Sequence, residues 1–250
     1  MSNPQNGYAI YVEGLHKSFG EWPVLWDLDL KVEWGQFLAL FGVNGAGKTT
    51  LLRILSTQAR ADAGEILVAG YDSRRHADAI RRCIGVVGHQ GLVYEDLTCR
   101  ENLVFYGRLF ALGDIHQRVE AVLSRVGLHH RADHRVRTLS HGMQKRLAIA
   151  RAVLHQPRIL LMDEPEGGLD RESVAMLKGL LEEWTQTGGT VIMTTHNVEL
   201  GLAWAHRAAV LANGKVHFQG DPDYGGPAEI QRLLTTTSAA GLARPVETQL

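Results

Sequence analysis

Apolar and polar positions along this chain change period many times, and each change marks an element. Phe37 to Phe41 is an unbroken apolar run that stops at Gly42. Arg158-Ile-Leu-Leu-Met-Asp163 and Thr190-Val-Ile-Met-Thr-Thr195 repeat the pattern. Continuous rather than alternating runs predict strands covered on both faces, as in parallel sheets. Tyr8 to Val12 and Leu28 to Val32 alternate and read as edge strands, with the stretch from Gly14 to Gly20 lying outside the sheet. Gly64 to Gly70 and Ile84 to Val87 read as short strands. Ala208 to Leu211 and Lys215 to Gln219 flank Asn213-Gly214, the favoured two-residue hairpin turn. Helical periods are expected from Thr50, at Ala77–Cys83, over Leu97–Val126, and at Ser140–Leu154, Arg171–Thr187 and Val198–Ala205. Within Leu97–Val126, Leu103, Phe105, Tyr106, Leu109, Phe110 and Leu112 form one apolar set, and Val119, Val122, Leu123 and Val126 a second. Both are read as core faces.

Strands alternating with helices predict an α/β fold with an antiparallel β edge and a helical insertion. Residues 1–88 and 158–220 form the expected core, residues 89–157 the inserted helical block, and residues 221–250 a tail assigned no chemistry.

Composition narrows the picture. With 250 residues and 45% of them hydrophobic, the chain can bury one large α/β core. A formal charge of −1 argues against electrostatic nucleic-acid binding. No apolar run is long enough to cross a bilayer, and Met1-Ser-Asn-Pro-Gln-Asn6 lacks a signal-peptide pattern, so a cytosolic chain is expected. Cys83 and Cys99 have neither metal nor redox spacing and read as idle thiols.

The chemistry centres on Gly42-Val43-Asn44-Gly45-Ala46-Gly47-Lys48-Thr49-Thr50, which follows a predicted strand and opens a predicted helix. G-x-x-x-x-G-K-T in that context is the phosphate-binding loop of a P-loop NTPase. Glycines let backbone N–H groups face a polyphosphate, and the helix N-terminus adds about half a positive charge. Lys48 is expected on the β- and γ-phosphates and Thr49 on Mg²⁺. Asp163, ending an apolar strand, is the expected Mg²⁺ partner. Glu164 beside it points the other way, placed to orient the attacking water. His196 ends another strand at the same edge and can bond a γ-phosphate and a backbone carbonyl. Gln90, at a further strand end, can offer its amide oxygen to Mg²⁺ or the water. Ser140-His-Gly-Met143 opens a helix with a hydroxyl and a glycine, a second anion-binding device, here expected to serve another copy of the chain.

Taken together, these residues resemble the ATP-binding cassette family of transporter ATPases from Tyr8 to Gly220. The resemblance implies Phe19 as the adenine-stacking aromatic, Gly42–Thr49 as Walker A, and Gln90 as the Q-loop. It implies Leu139–Arg146 as the signature, with Ser140, Gly142 and Met143 acting in trans. Ile159–Glu164 becomes Walker B, Gly168-Leu-Asp170 the D-loop, and His196 the switch histidine. It further implies ATP with Mg²⁺ bound at Thr49, Gln90 and Asp163, a head-to-tail dimer sandwiching two ATPs, and integral membrane subunits docked near Gln90. The chain would then sit peripherally on the cytoplasmic face of the membrane. The departures are His141 and Met143 in the signature, and Gly167-Gly168 where Ser-Ala is usual. The stretches His89–Tyr106, Ser140–Leu147 and Thr195–Leu202 look like the ATPase subunit of the haem exporter in cytochrome c maturation. Drug, lipid and polysaccharide exporter subunits share parts of this likeness, and a soluble ATPase of iron–sulfur assembly is the alternative. A DNA- or ribosome-acting cassette is disfavoured, because no paired cassette, coiled-coil insertion or basic face is visible. His129, His130 and His134 stand among charged residues and read as a solvated loop rather than a haem or metal site.

Overall fold

The computed structural model describes residues 7–88, 91–223 and 226–241, with side chains as far as residue 236. Its strands are β1 (Tyr8–Phe19), β2 (Trp22–Glu33), β3 (Phe37–Phe41), β4 (Ala63–Val68), β5 (Tyr71–Asp72), β6 (Ile84–Val87), β7 (Ile159–Asp163), β8 (Thr190–Thr194), β9 (Arg207–Ala212) and β10 (Lys215–Gly220). Its α-helices are α1 (Lys48–Leu55), α2 (Ala77–Cys83), α3 (Cys99–Leu109), α4 (Ile115–Arg125), α5 (His141–Val153), α6 (Arg171–Gln186), α7 (Val198–Trp204) and α8 (Gly226–Gly241).

The strands make two sheets. One is antiparallel in the order β2-β1-β4-β5; the other runs β10-β9-β3-β8-β7-β6. In the second, β9, β3, β8, β7 and β6 are parallel neighbours and β10 returns antiparallel. The three continuous apolar runs became β3, β7 and β8, and every residue in them is buried. Leu38, Leu40, Leu161 and Ile192 join α1 and the inner face of the antiparallel sheet in one core. Phe37, Leu160, Met162, Val191 and Met193 pack instead with α3 to α6. An eight-residue helix is unstable alone, so α1 depends on that burial. Leu51 and Leu55 are fully buried, worth about 2 kcal/mol each.

Two expectations are corrected, the place of Phe19 and the burial of the first apolar set. The stretch Gly14–Gly20 lies largely within β1, and Phe19 ends that strand instead of standing outside the sheet. Bulges between Val12 and Leu15 and between Leu15 and Lys17 break the alternation that the sequence reading relied on. The helical stretch Leu97–Val126 is two helices, because Ala111 and Asp114 take φ of 53° and 48° between them. Phe105 and Leu109 are not core: they are 42% and 68% exposed. Helix α3 buries Cys99, Asn102, Leu103 and Gly107, and one such stripe cannot also cover the opposite face. The tail holds α8, which caps β9 through the buried Ile230.

The two sheets meet along β2 and β10. Trp26 N donates to Gly214 O at 3.0 Å, and Lys215 pairs with Asp27 at 3.2 Å. The Gln219 amide donates to Lys31 O while accepting from Lys31 N, so one side chain stands in for a strand partner.

Candidate nucleotide site

The end of β3 turns at Gly42, where a Cβ would lie 2.5 Å from Leu211 O. Gly47 caps α1 with φ of 107°, and a Cβ there would meet Leu25 Cδ2 at 2.6 Å. Only glycine fits both demands at Gly47. No side chain caps α1 and no acid stands in its first turn, so its leading N–H groups remain open to an anion. Between the glycines, Ala46 N donates to Val43 O at 3.1 Å, closing a turn that includes Asn44 and Gly45.

Lys48 is buried and donates to Gly42 O at 2.7 Å and Val43 O at 3.3 Å. Burial pushes its ammonium below the usual lysine range, while the Glu164 and Asp163 carboxylates oppose the shift. Thr49, followed by Thr50 in the first turn of α1, donates from its hydroxyl to Asp163 Oδ2 at 2.7 Å. Thr194 donates to Asp163 Oδ1 at 2.6 Å, as expected for residues paired across β7 and β8.

Glu164 leaves β7 with φ of 47°, a costly backbone for a non-glycine residue. Its N–H donates to Thr194 O at 3.1 Å and Thr194 Oγ1 at 3.2 Å, which holds that turn in place. Its carboxylate lies 3.5 Å from His196 Nδ1; the histidine side chain is mostly exposed. Asp163, Glu164, His196, Lys48 and Thr49 therefore share the carboxyl ends of β3, β7 and β8. A cleft of about 190 Å³ runs from Thr49 and Asp163 past Arg53 to Val86, Gly88 and Leu92. A wider hollow of about 520 Å³ opens at the other end of the sheet, beside Arg125, Arg158 and Trp184.

The signature stretch opens α5. Ser140 caps it by accepting from Met143 N at 3.3 Å. The helix start lies against the loop that follows Glu164: a Cβ on Gly142 would be 3.3 Å from Gly168 O. Gly168 takes φ of 76°, and a Cβ there would meet the His141 ring at 2.8 Å. The two departures from the family pattern thus touch one another. Asp170 caps α6 by accepting from Ser173 N at 2.8 Å, and the Ser173 hydroxyl and then its N–H hold the Asp170 carboxyl below the usual range. Phe19 is 53% exposed, with Lys17 Nζ 5.2 Å from its ring centre. Gln90 and His89 lie outside the described residues.

Sequence reasoning missed Lys145 and Glu166. Lys145 donates to Glu164 O at 2.9 Å, and burial lowers its ammonium against the opposing charges of Glu166, Asp163 and Glu164. Glu166 accepts from the Thr195 hydroxyl. A second acid two positions after Glu164 was a visible signal for Glu166; nothing in the chain order joins Lys145 to Glu164. No group of three or more potential metal-binding side chains occurs among the described residues, and His129, His130 and His134 are exposed. Cys99 is buried, which pushes its thiol up, and it pairs with no other cysteine.

The parallel sheet, the glycine loop before α1 and the antiparallel sheet beside it are the architecture of a P-loop ATPase of the cassette type. The chain belongs to the ABC transporter family, whose pattern matches residues 25–167. It is 39% identical over 217 residues to daunorubicin resistance ATP-binding protein DrrA3 of Streptomyces coeruleorubidus, covering 86% of this chain and 69% of that one. It is 38% identical over 213 residues to Nod factor export ATP-binding protein I of Ralstonia nicotianae, covering 84% and 66%. The chain thus spans about two thirds of the length of these relatives. Among solved structures, an ATP-binding subunit of an ABC transporter superposes with a TM-score of 0.85 at 26% identity, covering 91% of this chain and 99% of that one. A dimeric cassette in a post-hydrolysis state, bound to ADP and Pi, gives 0.79 at 27% identity, covering 85% and 98%. The chain is accordingly an ATP-binding ABC ATPase.

Proposed function

We propose that this chain is the ATP-hydrolysing subunit of an exporter, working as a head-to-tail pair beneath separate membrane subunits. The observation that carries the reading is the join between Thr49, Asp163 and Thr194, which brings a loop suited to polyphosphate against an acidic strand end. In this reading the N–H groups of residues 43–49 and the Lys48 ammonium hold the β- and γ-phosphates. Lys48 exchanges its bonds to Gly42 O and Val43 O for phosphate oxygens. Phe19 stacks on the adenine.

The Thr49 hydroxyl and the Asp163 carboxylate are hard oxygen donors 2.7 Å apart. They fit Mg²⁺, which takes one or two protein oxygens and completes its shell with water and phosphate. Gln90 is a third candidate ligand. When bound, the ion neutralises charge on the β- and γ-phosphates. Glu164 orients the attacking water, and His196 stabilises the γ-phosphate while holding Glu164 in line. The transition state is loose, so placement of these groups matters more than basicity. Ser140, Gly142 and Met143 at the start of α5 contact the nucleotide held by the partner copy, and Asp170 lies in the loop between the two sites.

The exposed apolar face of Tyr94, Phe105 and Leu109 receives the membrane subunit. No helix among the described residues is long and apolar enough to cross a membrane, which accords with a peripheral subunit on the cytoplasmic face. The relatives are named for export of Nod factor and for resistance to daunorubicin, which favours export of a drug or a cargo of the Nod-factor kind. The local likeness to haem-exporter subunits finds no counterpart in those names.

Replacing Glu164 by Gln tests the mechanism. ATP turnover is expected to fall at least about a hundredfold with ATP affinity retained, the range for losing a transition-state contact. With ATP present the variant should run as a dimer in size-exclusion chromatography. Normal turnover, or a monomer at saturating ATP, would refute the assignment.

A further inference from the structure

Glu166 is half-buried in the loop after Glu164, and its two oxygens are treated unequally. Oε1 accepts from the Thr195 hydroxyl. Oε2 is buried and has no hydrogen-bond partner among the described residues. A buried carboxylate oxygen without a partner costs stability, which turns attention to what the other oxygen and the charge hold in place. Thr195 immediately precedes His196, and its Oγ1 in turn accepts from Asn197 N at 3.0 Å. The residues on either side of His196 are therefore tied together and anchored to Glu166. The preceding turn is anchored too, by the bonds from Glu164 N to Thr194.

From this geometry we infer that Glu166 is a positioning residue: through Thr195 it fixes the backbone that aims His196 at Glu164. Chain segments 163–166 and 194–197 then move as one stapled unit. The His196 ring is mostly exposed and lies 3.5 Å from the Glu164 carboxylate, so its aim depends on the backbone that carries it. Lys145 shares the arrangement differently. Its Nζ holds the Glu164 carbonyl, and the Glu166 carboxylate is the main charge favouring its protonated form. Glu166 can thus act by its bond to Thr195 or by its charge on Lys145, and the two roles are separable. The inference rests on the hydrolytic reading of the site given above.

The test compares Glu166→Ala, Glu166→Gln, Thr195→Val and the Glu166→Ala/Thr195→Val pair in the full chain. Steady-state ATP hydrolysis is measured together with the imidazole proton resonances of His196, assigned with a His196→Asn variant. Glu166→Ala and Thr195→Val should each lower kcat about tenfold with KM for ATP within about twofold, the size expected for one hydrogen bond felt in the transition state. The pair should be no worse than Thr195→Val alone, since that change already breaks the bond to Glu166 along with the one from Asn197 N. Glutamine keeps the acceptor and loses the charge, so Glu166→Gln should stay within about threefold of the parent chain and leave the His196 resonances in place. Losses that multiply, unmoved His196 resonances in Glu166→Ala, or a Glu166→Gln as impaired as the alanine variant would each overturn the inference. Should Glu166→Ala not fold, Thr195→Val and Glu166→Gln decide alone. A parent chain that bound ATP without hydrolysing it would overturn the hydrolytic reading, while the His196 resonances would still decide the positioning claim.

Discussion

Two surfaces of this molecule are built on opposite plans. At the strand ends around Asp163, polar groups hold one another: both Asp163 oxygens accept hydroxyl bonds, Lys48 is taken up by two carbonyls, and Glu164 N is shared by Thr194 O and Oγ1. On the outer face of α3, Phe105 and Leu109 stand in solvent, and Tyr94 packs edge-on against Phe105 with centroids 5.2 Å apart. The first surface is preorganised, and its charges are ready for a ligand that replaces internal bonds with better ones. The second is an apolar patch that gains only when something covers it. On the reading proposed above, chemistry and coupling to a partner occupy separate surfaces, and each should be lost without loss of the other.

The largest expected effect is at the strand ends. Lys48→Ala should weaken ATP binding by about a hundredfold or more, because a buried charge facing phosphate is lost. A fluorescent ATP analogue titrated against both chains measures it, and near-normal affinity would break the account of the loop. On the apolar face, changing Phe105 and Leu109 together to Ser should leave ATP hydrolysis by the isolated chain within about twofold. The same change should cut recovery of the chain with detergent-solubilised membranes about tenfold or more, as expected when apolar anchors are removed from an interface. Lost hydrolysis with unchanged membrane recovery would reverse the two roles.

The smallest effect concerns Asp170 as a cap. Asp170→Ala should lower the melting temperature by a few degrees at neutral pH. The sign with pH follows from the lowered carboxyl of the folded state. The cap contributes stability above the unfolded carboxyl pKa and loses it as pH falls through the lower folded value. The parent chain's advantage over the alanine variant should therefore vanish in acid, whereas Asp170→Asn should keep a cap with no such dependence. Thermal melts at several pH values read the difference.

The strands and the glycine loop were legible because they are local statements. Phe37–Phe41, Ile159–Asp163 and Thr190–Thr194 announce burial on both faces within five residues, and the loop spacing is written in consecutive letters. Helices α2 and α6 were likewise read nearly to their ends. The hairpin of β1 and β2 was half missed because its bulges destroy the alternation that would reveal it. The exposed side of α3 was misread because helical periodicity groups residues by angle, and the apolar residues between Leu103 and Leu112 span more than one face. In the site, Asp163, Glu164 and His196 could be set at one edge by counting from strand ends. Lys145 and Glu166 could not, since their partners are 19 and 29 positions away and are fixed only by how α5 and β8 pack. The contact between His141 and Gly168 is of the same kind: two oddities in the sequence become one packing arrangement in space.

Gln219 carries a consequence for solubility. Strand β2 is twelve residues long and lies at the margin of its sheet, the kind of template on which unrelated chains add and grow aggregates. By occupying both hydrogen-bonding groups of Lys31, the glutamine side chain blocks one rung of that template, and the Trp26–Gly214 bond blocks another. The corner that joins the two sheets thereby leaves less of this margin open to a further strand.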